Sequence, residues 1–295
     1  MKKPAILLIF MAAAFLIYSV FPAGNMISAM SDSRASVRLP VLLYHSICKE
    51  ASGENQYTVS TERFESDLIW LKDHGFTSVS ASQLIGYVEN GSPLPSKPVL
   101  ITFDDGYMNN YSLAFPLLQK YHMNAVVSVI GRKCDESSGD MYPDLATSAL
   151  NWGQVALMNS SGLVEIGNHT FDLHKISGGR KGADRLSGER DEDYAAVLTA
   201  DLSHAQEKIA AACSSPNLSK DQSHVRAETP PIIFAWPYGA YPSDGSADPI
   251  LKELGFKMTL TSYQKVNTVY QGEPDSLFGL KRFLRDPGFD MEDII

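Results

Sequence analysis

Apolar runs and amphipathic segments alternate along most of the chain. Between several of the apolar runs the spacing is helical, as for Phe64, Leu68 and Leu71 behind Thr61, a suitable N-cap residue. Strands that alternate with helices are typical of parallel β/α units, so we predict a distorted (β/α) barrel of about seven parallel strands. The runs that predict strands are residues 40–47, 99–103, 125–130, 163–166, 232–236, 258–261 and 277–284.

The amino terminus has the pattern of an export segment. Lys2 and Lys3 precede an apolar run without any charge, residues 5–20. A short basic stretch followed by an apolar core indicates a signal peptide, and the uncharged length is equally compatible with a single membrane anchor. We therefore expect residues 1–30 to direct a protein that is secreted or held at the extracellular face of the membrane.

Two further segments differ from the β/α pattern. Residues 31–38 are polar and Ser-rich, which indicates a linker, so we expect the folded domain to extend over residues 39–295. Residues 175–193 contain four glycines and five basic residues, and we predict a long, mobile loop there. This loop could cover a groove or contact an anionic cell surface, and a solvated loop without such a role is the plain alternative.

Charge and cysteine content exclude two classes of site. The formal net charge of −9 argues against a nucleic-acid-binding surface, which needs clustered Lys and Arg. The three cysteines, Cys48, Cys134 and Cys213, lie far apart without any Cys-x-x-Cys spacing, so a Cys-rich zinc site is excluded. We expect them to be free, mostly buried thiols.

One predicted strand ends in two adjacent carboxylates. Residues 99–103 lead directly into Asp104, Asp105 and Gly106. In a β/α barrel this is the carboxyl end of a strand, where active sites lie. Two carboxylates in an apolar setting need a cation, a proton or hydrogen bonds to keep them apart. On its own, the segment is as consistent with an ordinary Asp–Gly turn.

A pair of histidines follows another predicted strand. His169 and His174 lie in one short loop after residues 163–166. Together with Asp105 they would form a two-histidine, one-carboxylate set that leaves positions open for water and substrate. The sequence therefore predicts a catalytic site for one divalent metal ion, and this donor set accepts Zn, Co, Ni or Fe.

A third strand end is rich in aromatic residues. Aromatic rings suit the apolar faces of sugars, and the Tyr238 amide could face a developing oxyanion. The alternative is a set of core aromatics followed by a Pro–Gly turn. The predicted substrate-binding residues are Trp236, Pro237 and Tyr241.

These segments together resemble the polysaccharide deacetylases with a NodB-homology domain, carbohydrate esterase family four. Thr-Phe-Asp-Asp-Gly at residues 102–106 is similar to the first family motif, and His-Thr-x-x-x-His at residues 169–174 is similar to the second. Trp-Pro-Tyr-Gly at residues 236–239 is similar to the third. The resemblance extends over residues 40–286, nearly all of the expected domain.

Three departures from the family motifs indicate which branch of the family this sequence resembles. The two histidines are five positions apart instead of four, Ala235 stands where the family has an arginine, and no histidine follows His224. These features resemble the poly-N-acetylglucosamine and intercellular-adhesin deacetylases, a circularly permuted version of the fold. In that branch a Tyr-His motif at the start of the domain supplies the general acid, and this chain has Tyr44-His45 there.

The resemblance implies a role for each candidate residue. Asp104 would be the general base, His45 the general acid and the Tyr238 amide an oxyanion donor. Because the usual arginine is missing, Arg282 becomes a candidate to orient Asp104. The implied metal ligands are Asp105, His169 and His174.

The resemblance also implies the substrate and its surroundings. We expect an N-acetylated polysaccharide, with poly-β-1,6-N-acetylglucosamine the best match, acted on by a monomer associated with the membrane or cell surface. Peptidoglycan, chitin or xylan remain alternative polymers, and a non-catalytic carbohydrate-binding protein of the same fold is a further alternative. A glycoside hydrolase would need two carboxylates much farther apart than neighbouring residues.

Overall fold

The computed structural model describes residues 35–138, 144–214, 233–242 and 244–295. The predicted export segment, residues 1–30, lies outside the described residues. None of the helices in the described ranges has the length and apolar character that crossing a bilayer requires.

Short strands and helices alternate along the described chain. The strands are β1 (Ser36–Leu39), β2 (Val41–Tyr44), β3 (Ser46–Cys48), β4 (Thr58–Ser60), β5 (Thr77–Ser78), β6 (Pro98–Phe103), β7 (Ala125–Val129), β8 (Val164–Asn168), β9 (Ile176–Ser177), β10 (Arg180–Lys181), β11 (Ile233–Ala235), β12 (Met258–Leu260), β13 (Asn267–Tyr270) and β14 (Phe283–Leu284). The α-helices are α1 (Thr61–Asp73), α2 (Ala81–Asn90), α3 (Phe115–Tyr121), α4 (Gly131–Ser137), α5 (Trp152–Ser160), α6 (Asp191–Cys213) and α7 (Asp248–Glu253).

Seven parallel strands form one curled sheet, in the order β12, β11, β8, β7, β6, β2 and β14. The short strand β5 also pairs with the beginning of β6. At the open edges, Leu280 forms a parallel bridge with Leu260 of β12, just before the chain enters β14. The predicted barrel of about seven parallel strands is thus confirmed, and each of the seven predicted runs overlaps one strand of this sheet.

The apolar runs are continuous because the sheet is buried on both faces. Every residue of β6 is buried. Val99, Ile101 and Phe103 pack into one core cluster with residues of α1 and α3, while Leu100 packs into another with residues of α2 and β12. Successive side chains of a strand point to opposite faces, so a strand covered on both sides loses the alternation of polar and apolar residues.

Helices α1 and α2 begin at side-chain caps. The α1 face of Phe64, Leu68 and Leu71 is buried as predicted, but the cap is Ser60, whose hydroxyl accepts a hydrogen bond from the Arg63 amide at 3.2 Å. The predicted cap, Thr61, is instead the first helical residue. In α2, Ser80 and Gln83 form a capping box, which satisfies two amides at the helix start.

Two segments differ from their prediction. Strand β1 begins at Ser36, inside the stretch assigned to the linker, and pairs antiparallel with β13. Residues 175–193, predicted as a long loop, lie mostly outside helices and strands, but they also contain the short β9–β10 hairpin and the start of α6. An ion pair of 2.5 Å between the largely buried side chains of Arg180 and Glu189 stabilises this segment, and such pairing leaves no apolar periodicity in the sequence.

Candidate active site

The chain leaves β6 through a tight turn that separates its two carboxylates. Asp105 and Gly106 both have a positive φ, 68° and 62°. A Cβ atom on Gly106 would lie 2.9 Å from Cγ1 of Val129, so the turn needs glycine at this position. The turn sends the side chains of Asp104 and Asp105 to different partners.

Asp104 forms a buried, two-point ion pair with Arg282. The distances are 2.8 Å from Nη1 to Oδ1 and 2.7 Å from Nη2 to Oδ2, and Nε donates to the Thr261 carbonyl at 2.6 Å. Burial alone would raise the pKa of the Asp104 carboxyl, but the charge of Arg282 outweighs it and holds this pKa below its ordinary value. Asp104 is therefore ionised, and Arg282 stands in the place of the arginine that the sequence lacks at Ala235.

Asp105, His169 and His174 come together as a candidate metal site. Oδ1 of Asp105 lies 3.5 Å from Nε2 of His169 and 3.2 Å from Nε2 of His174. All three ligand atoms lie within 4.8 Å of one another. Oδ1 of Asp105 is buried and has no hydrogen-bond partner among the described residues. An orphaned carboxylate oxygen facing two imidazole nitrogens fits a divalent cation such as Zn.

The orientation of His169 and the neutral ring of His174 also fit a metal. Nδ1 of His169 lies 2.8 Å from the Ala235 carbonyl, which leaves Nε2 directed at Asp105. Burial, and then the neighbouring His169, lowers the pKa of His174 to about 4, so its ring is neutral at neutral pH. Burial likewise acts to lower the pKa of His169, but the carboxylates of Asp104 and Asp105 outweigh it and raise this pKa.

The loop between the two histidines is held by α6. Phe171 and Asp172 donate their backbone amides to the two carboxylate oxygens of Asp201, at 2.7 and 2.8 Å. Thr170 has a φ of 73°, and its amide donates to the Asn168 side chain at 2.8 Å. The sequence reasoning did not single out Asp201. The available indication was that Asp201 is adjacent to Leu202, which lies on the apolar face of the longest predicted helix.

His45 faces the same cavity from the end of β2. Its ring packs edge-on against Tyr57, with 5.0 Å between ring centroids, and its carbonyl accepts a hydrogen bond from Asn110 at 2.7 Å. Burial lowers the pKa of His45, although the carboxylate of Asp104 opposes that shift. Nδ1 of His45 is buried without a hydrogen-bond partner among the described residues.

A cavity of about 490 Å³ joins these groups. Asp104, Asp105 and the three histidines all line it, together with Arg282 and Tyr238. Tyr238 has a φ of 59°, is 42% exposed, and lies with its ring centroid 4.7 Å from that of His174. Lys181 also lines the cavity, and it belongs to residues 175–193, the segment expected to cover a groove or contact the cell surface. Further residues that line the cavity, which sequence reasoning missed, are Gln56, Tyr57, Tyr107, Ser262 and Gln264.

The predicted sugar platform is not at this cavity. Trp236 is fully buried, with its ring 4.8 Å from that of Phe234. Pro237 is buried as well, and the hydroxyl of Tyr241 donates to Asp248 at 2.9 Å. None of the three lines the cavity, so the structure does not bring them to the candidate active site. Trp236 points with Phe234 into the core because residues two apart on a strand share a face.

Known proteins match this chain in sequence and in fold. A poly-β-1,6-N-acetyl-D-glucosamine N-deacetylase of Escherichia coli (strain K12) is 30% identical over 228 residues, 74% of this chain. The matched part is only 33% of the E. coli protein, so the chain spans about a third of the length of this relative.

Solved structures show the same architecture. A de-N-acetylase from Aggregatibacter actinomycetemcomitans superposes with a TM-score of 0.69 at 29% identity, over 87% of this chain and 98% of that one. IcaB from Ammonifex degensii superposes with a TM-score of 0.65 at 28% identity, over 85% of this chain and 93% of that one. The model of the family described as polysaccharide deacetylase matches residues 91–259, more than half of the sequence. The chain belongs to the polysaccharide deacetylase family.

Proposed function

We propose that this chain is a metal-dependent hydrolase that removes acetyl groups from poly-β-1,6-N-acetylglucosamine. The observation that carries the proposal is the meeting of three functions in one cavity: an ionised, arginine-bound carboxylate at Asp104, a two-histidine, one-carboxylate set, and a third histidine, His45. This arrangement suits hydrolysis of an amide, which needs a base for water, a Lewis acid and an acid for the leaving amine.

The reaction breaks the amide C–N bond and forms a C–O bond with water. A divalent ion such as Zn, Co, Ni or Fe, held by Asp105, His169 and His174, would polarise the acetamide carbonyl as a Lewis acid. Asp104 accepts a proton from the attacking water, because Arg282 keeps it ionised and fixes its orientation.

The leaving amine receives its proton from His45, which lines the cavity from the end of β2 and whose protonated form is favoured by the carboxylate of Asp104. In this scheme the Tyr238 amide donates to the oxygen on which negative charge develops. The products are acetate and a free amino sugar, and both side chains return to their starting protonation states by exchange with solvent.

Sequence and comparison together support the polymer and the location. The E. coli relative is named for poly-β-1,6-N-acetyl-D-glucosamine, and the basic and apolar amino terminus supports export. We propose that the enzyme acts outside the cytoplasm on an N-acetylated polysaccharide, either secreted or at the membrane surface. We further propose that it acts as a monomer.

Acetate release from defined oligomers tests this function. The purified chain is expected to release acetate from β-1,6-linked N-acetylglucosamine oligomers faster than from chitin, peptidoglycan or xylan fragments. A chelator should abolish release, and added Zn, Co, Ni or Fe should restore it. Asp104→Ala should bind metal yet lose turnover, since it removes the base and leaves the three ligands. Acetate release that survives complete metal removal would contradict the proposal, and so would no release from any polymer.

A further inference from the structure

Two lysines stand beside the cavity, each over a tyrosine ring that lines it. Nζ of Lys181 lies 5.5 Å from the ring centroid of Tyr238, and Nζ of Lys133 lies 5.9 Å from that of Tyr107. Lys181 itself lines the cavity. Both lysines are exposed, and within the described part of the chain neither forms an ion pair. Neither ammonium group is therefore held by a direct carboxylate partner.

The position of Lys181 is set by packing. The next residue, Gly182, has a φ of 61°, and a Cβ atom there would lie 2.8 Å from Cβ of Pro237. Its amide donates to the Lys175 carbonyl at 3.0 Å, which closes the hairpin. The preceding residue, Arg180, forms an ion pair with Glu189. The β9–β10 hairpin thus lies against the turn that carries Tyr238, and it presents Lys181 to the cavity.

The cavity is asymmetric in charge. The side of His174 carries Lys181, which lies over Tyr238, and the Tyr238 ring centroid is 4.7 Å from that of His174. Lys133 lies over Tyr107, another tyrosine that lines the cavity. The side of His45 carries Tyr57 and its neighbour Gln56, which are uncharged. A polymer that crosses the cavity therefore places one flanking sugar near positive charge and the other near neutral groups.

We propose that Lys181, assisted by Lys133, selects against polymer in which the sugar flanking the reacting residue on the Lys181 side already has a free amine. The inference rests on the proposed deacetylation. Each reaction leaves a glucosamine that is cationic near neutral pH, and its positive charge is repelled by that of a nearby lysine. The enzyme then releases acetyl groups at spaced positions along the polymer rather than from adjacent sugars.

The test compares kcat/KM for oligomers that differ by one acetyl group. One is a fully acetylated β-1,6-linked pentamer, and two others have a free amine on one side or the other of the central acetylated residue. The native enzyme should prefer the fully acetylated oligomer over one of these two isomers by about three- to tenfold at low ionic strength. The preference should shrink in 0.15 M salt, where the screening length falls to about 8 Å.

Variants assign the effect to Lys181. The ratio of kcat/KM values for two oligomers is read within each variant, so a general loss of activity cancels. Lys181→Gln should bring the ratio close to one, and Lys181→Arg should keep it. Lys97→Gln is a matched control, because Nζ of Lys97 also lies 5.5 Å over a ring, that of Phe76, but at the amino end of β6.

The measurements distinguish a failure of charge selection by Lys181 from a failure of the proposed deacetylation. If the native enzyme deacetylates all three oligomers with equal kcat/KM, or if Lys181→Gln keeps the native ratio, the inference is wrong while the proposed function stands. If no oligomer releases acetate, the proposed function fails and the inference fails with it.

Discussion

At the scale of single residues, the ion pair with Arg282 decides whether Asp104, the proposed general base, is ionised. A carboxyl group this deeply buried would hold its proton without a cation nearby, because burial raises its pKa. Arg282 reverses that shift and also directs both carboxylate oxygens. The arginine comes from the segment before β14, far along the chain from the motif that it serves.

Arg282→Gln is therefore expected to lower kcat/KM by about 100-fold or more. The pKa of Asp104 is depressed in the native site, so the base stays ionised well into acid; without Arg282 its pKa rises, and the acid limb of the pH profile should move to higher pH. Arg282→Lys keeps a charge but loses two-point contact, so its acid limb should move less. Metal content and circular dichroism serve as folding controls. An acid limb at the same pH in all three proteins would refute this account of Asp104.

At the scale of elements, α6 fixes the geometry of the histidine loop. Asp201 accepts two consecutive amides of that loop, between the two imidazoles. A carboxylate that receives two backbone amides restrains the loop in one conformation, and groups that orient metal ligands affect affinity for the metal. Asp201 acts as a positioning residue, since it lines neither the cavity nor the metal site.

Asp201→Ala should weaken metal binding by about 10- to 100-fold, because two amides lose their acceptor and the histidines lose their fixed spacing. The measurement is competition for Zn against a chelator of known affinity, followed by kcat at saturating metal. Glu207→Ala, on the exposed side of the same helix, is the matched control and should bind metal as the native protein does. Equal affinity in both variants would show that the loop keeps its conformation without Asp201.

Some strands of this fold were predictable from the sequence and others were not. The seven parallel strands were predictable because burial on both faces makes each a continuous apolar run. Strand β1 was missed because its residues are mostly exposed, and the β9–β10 hairpin was missed because ion pairs stabilise it. Motif residues Asp104, Asp105, His169 and His174 were found at strand ends. Residues such as Tyr57 and Gln264 were not, since no local sequence pattern shows which loop turns toward a cavity.

At the scale of the whole molecule, distant parts of the chain meet behind the active site. Strand β14 pairs with β2, and Arg285 donates to both carboxylate oxygens of Asp67 in α1, at 2.7 and 2.8 Å. The Tyr44 hydroxyl donates to the same carboxylate at 2.9 Å. This buried network joins β2, α1 and the segment after β14, next to the strand end that carries His45.

Arg285→Met should lower the free energy of unfolding by about 3–5 kcal/mol, because it leaves the Asp67 carboxylate buried without its cation. Replacing Asp67 by Asn as well should recover part of that loss. Urea unfolding measures both, and Arg190→Met, which removes an exposed ion pair with Asp193, should cost less than about 1 kcal/mol. If the Arg285 and Arg190 variants unfold at the same urea concentration, the network does not join these segments energetically.

The long separation between Asp104 and Arg282, 178 positions along the chain, has a consequence for folding. The first six strands of the sheet can assemble before β14 docks, but in such an intermediate Asp104 would lack its cation and would favour the protonated form. A refolding chain should thus regain helix and strand content before it regains turnover. The rate at which enzymatic activity returns therefore measures the last folding step, the docking of β14 against β2.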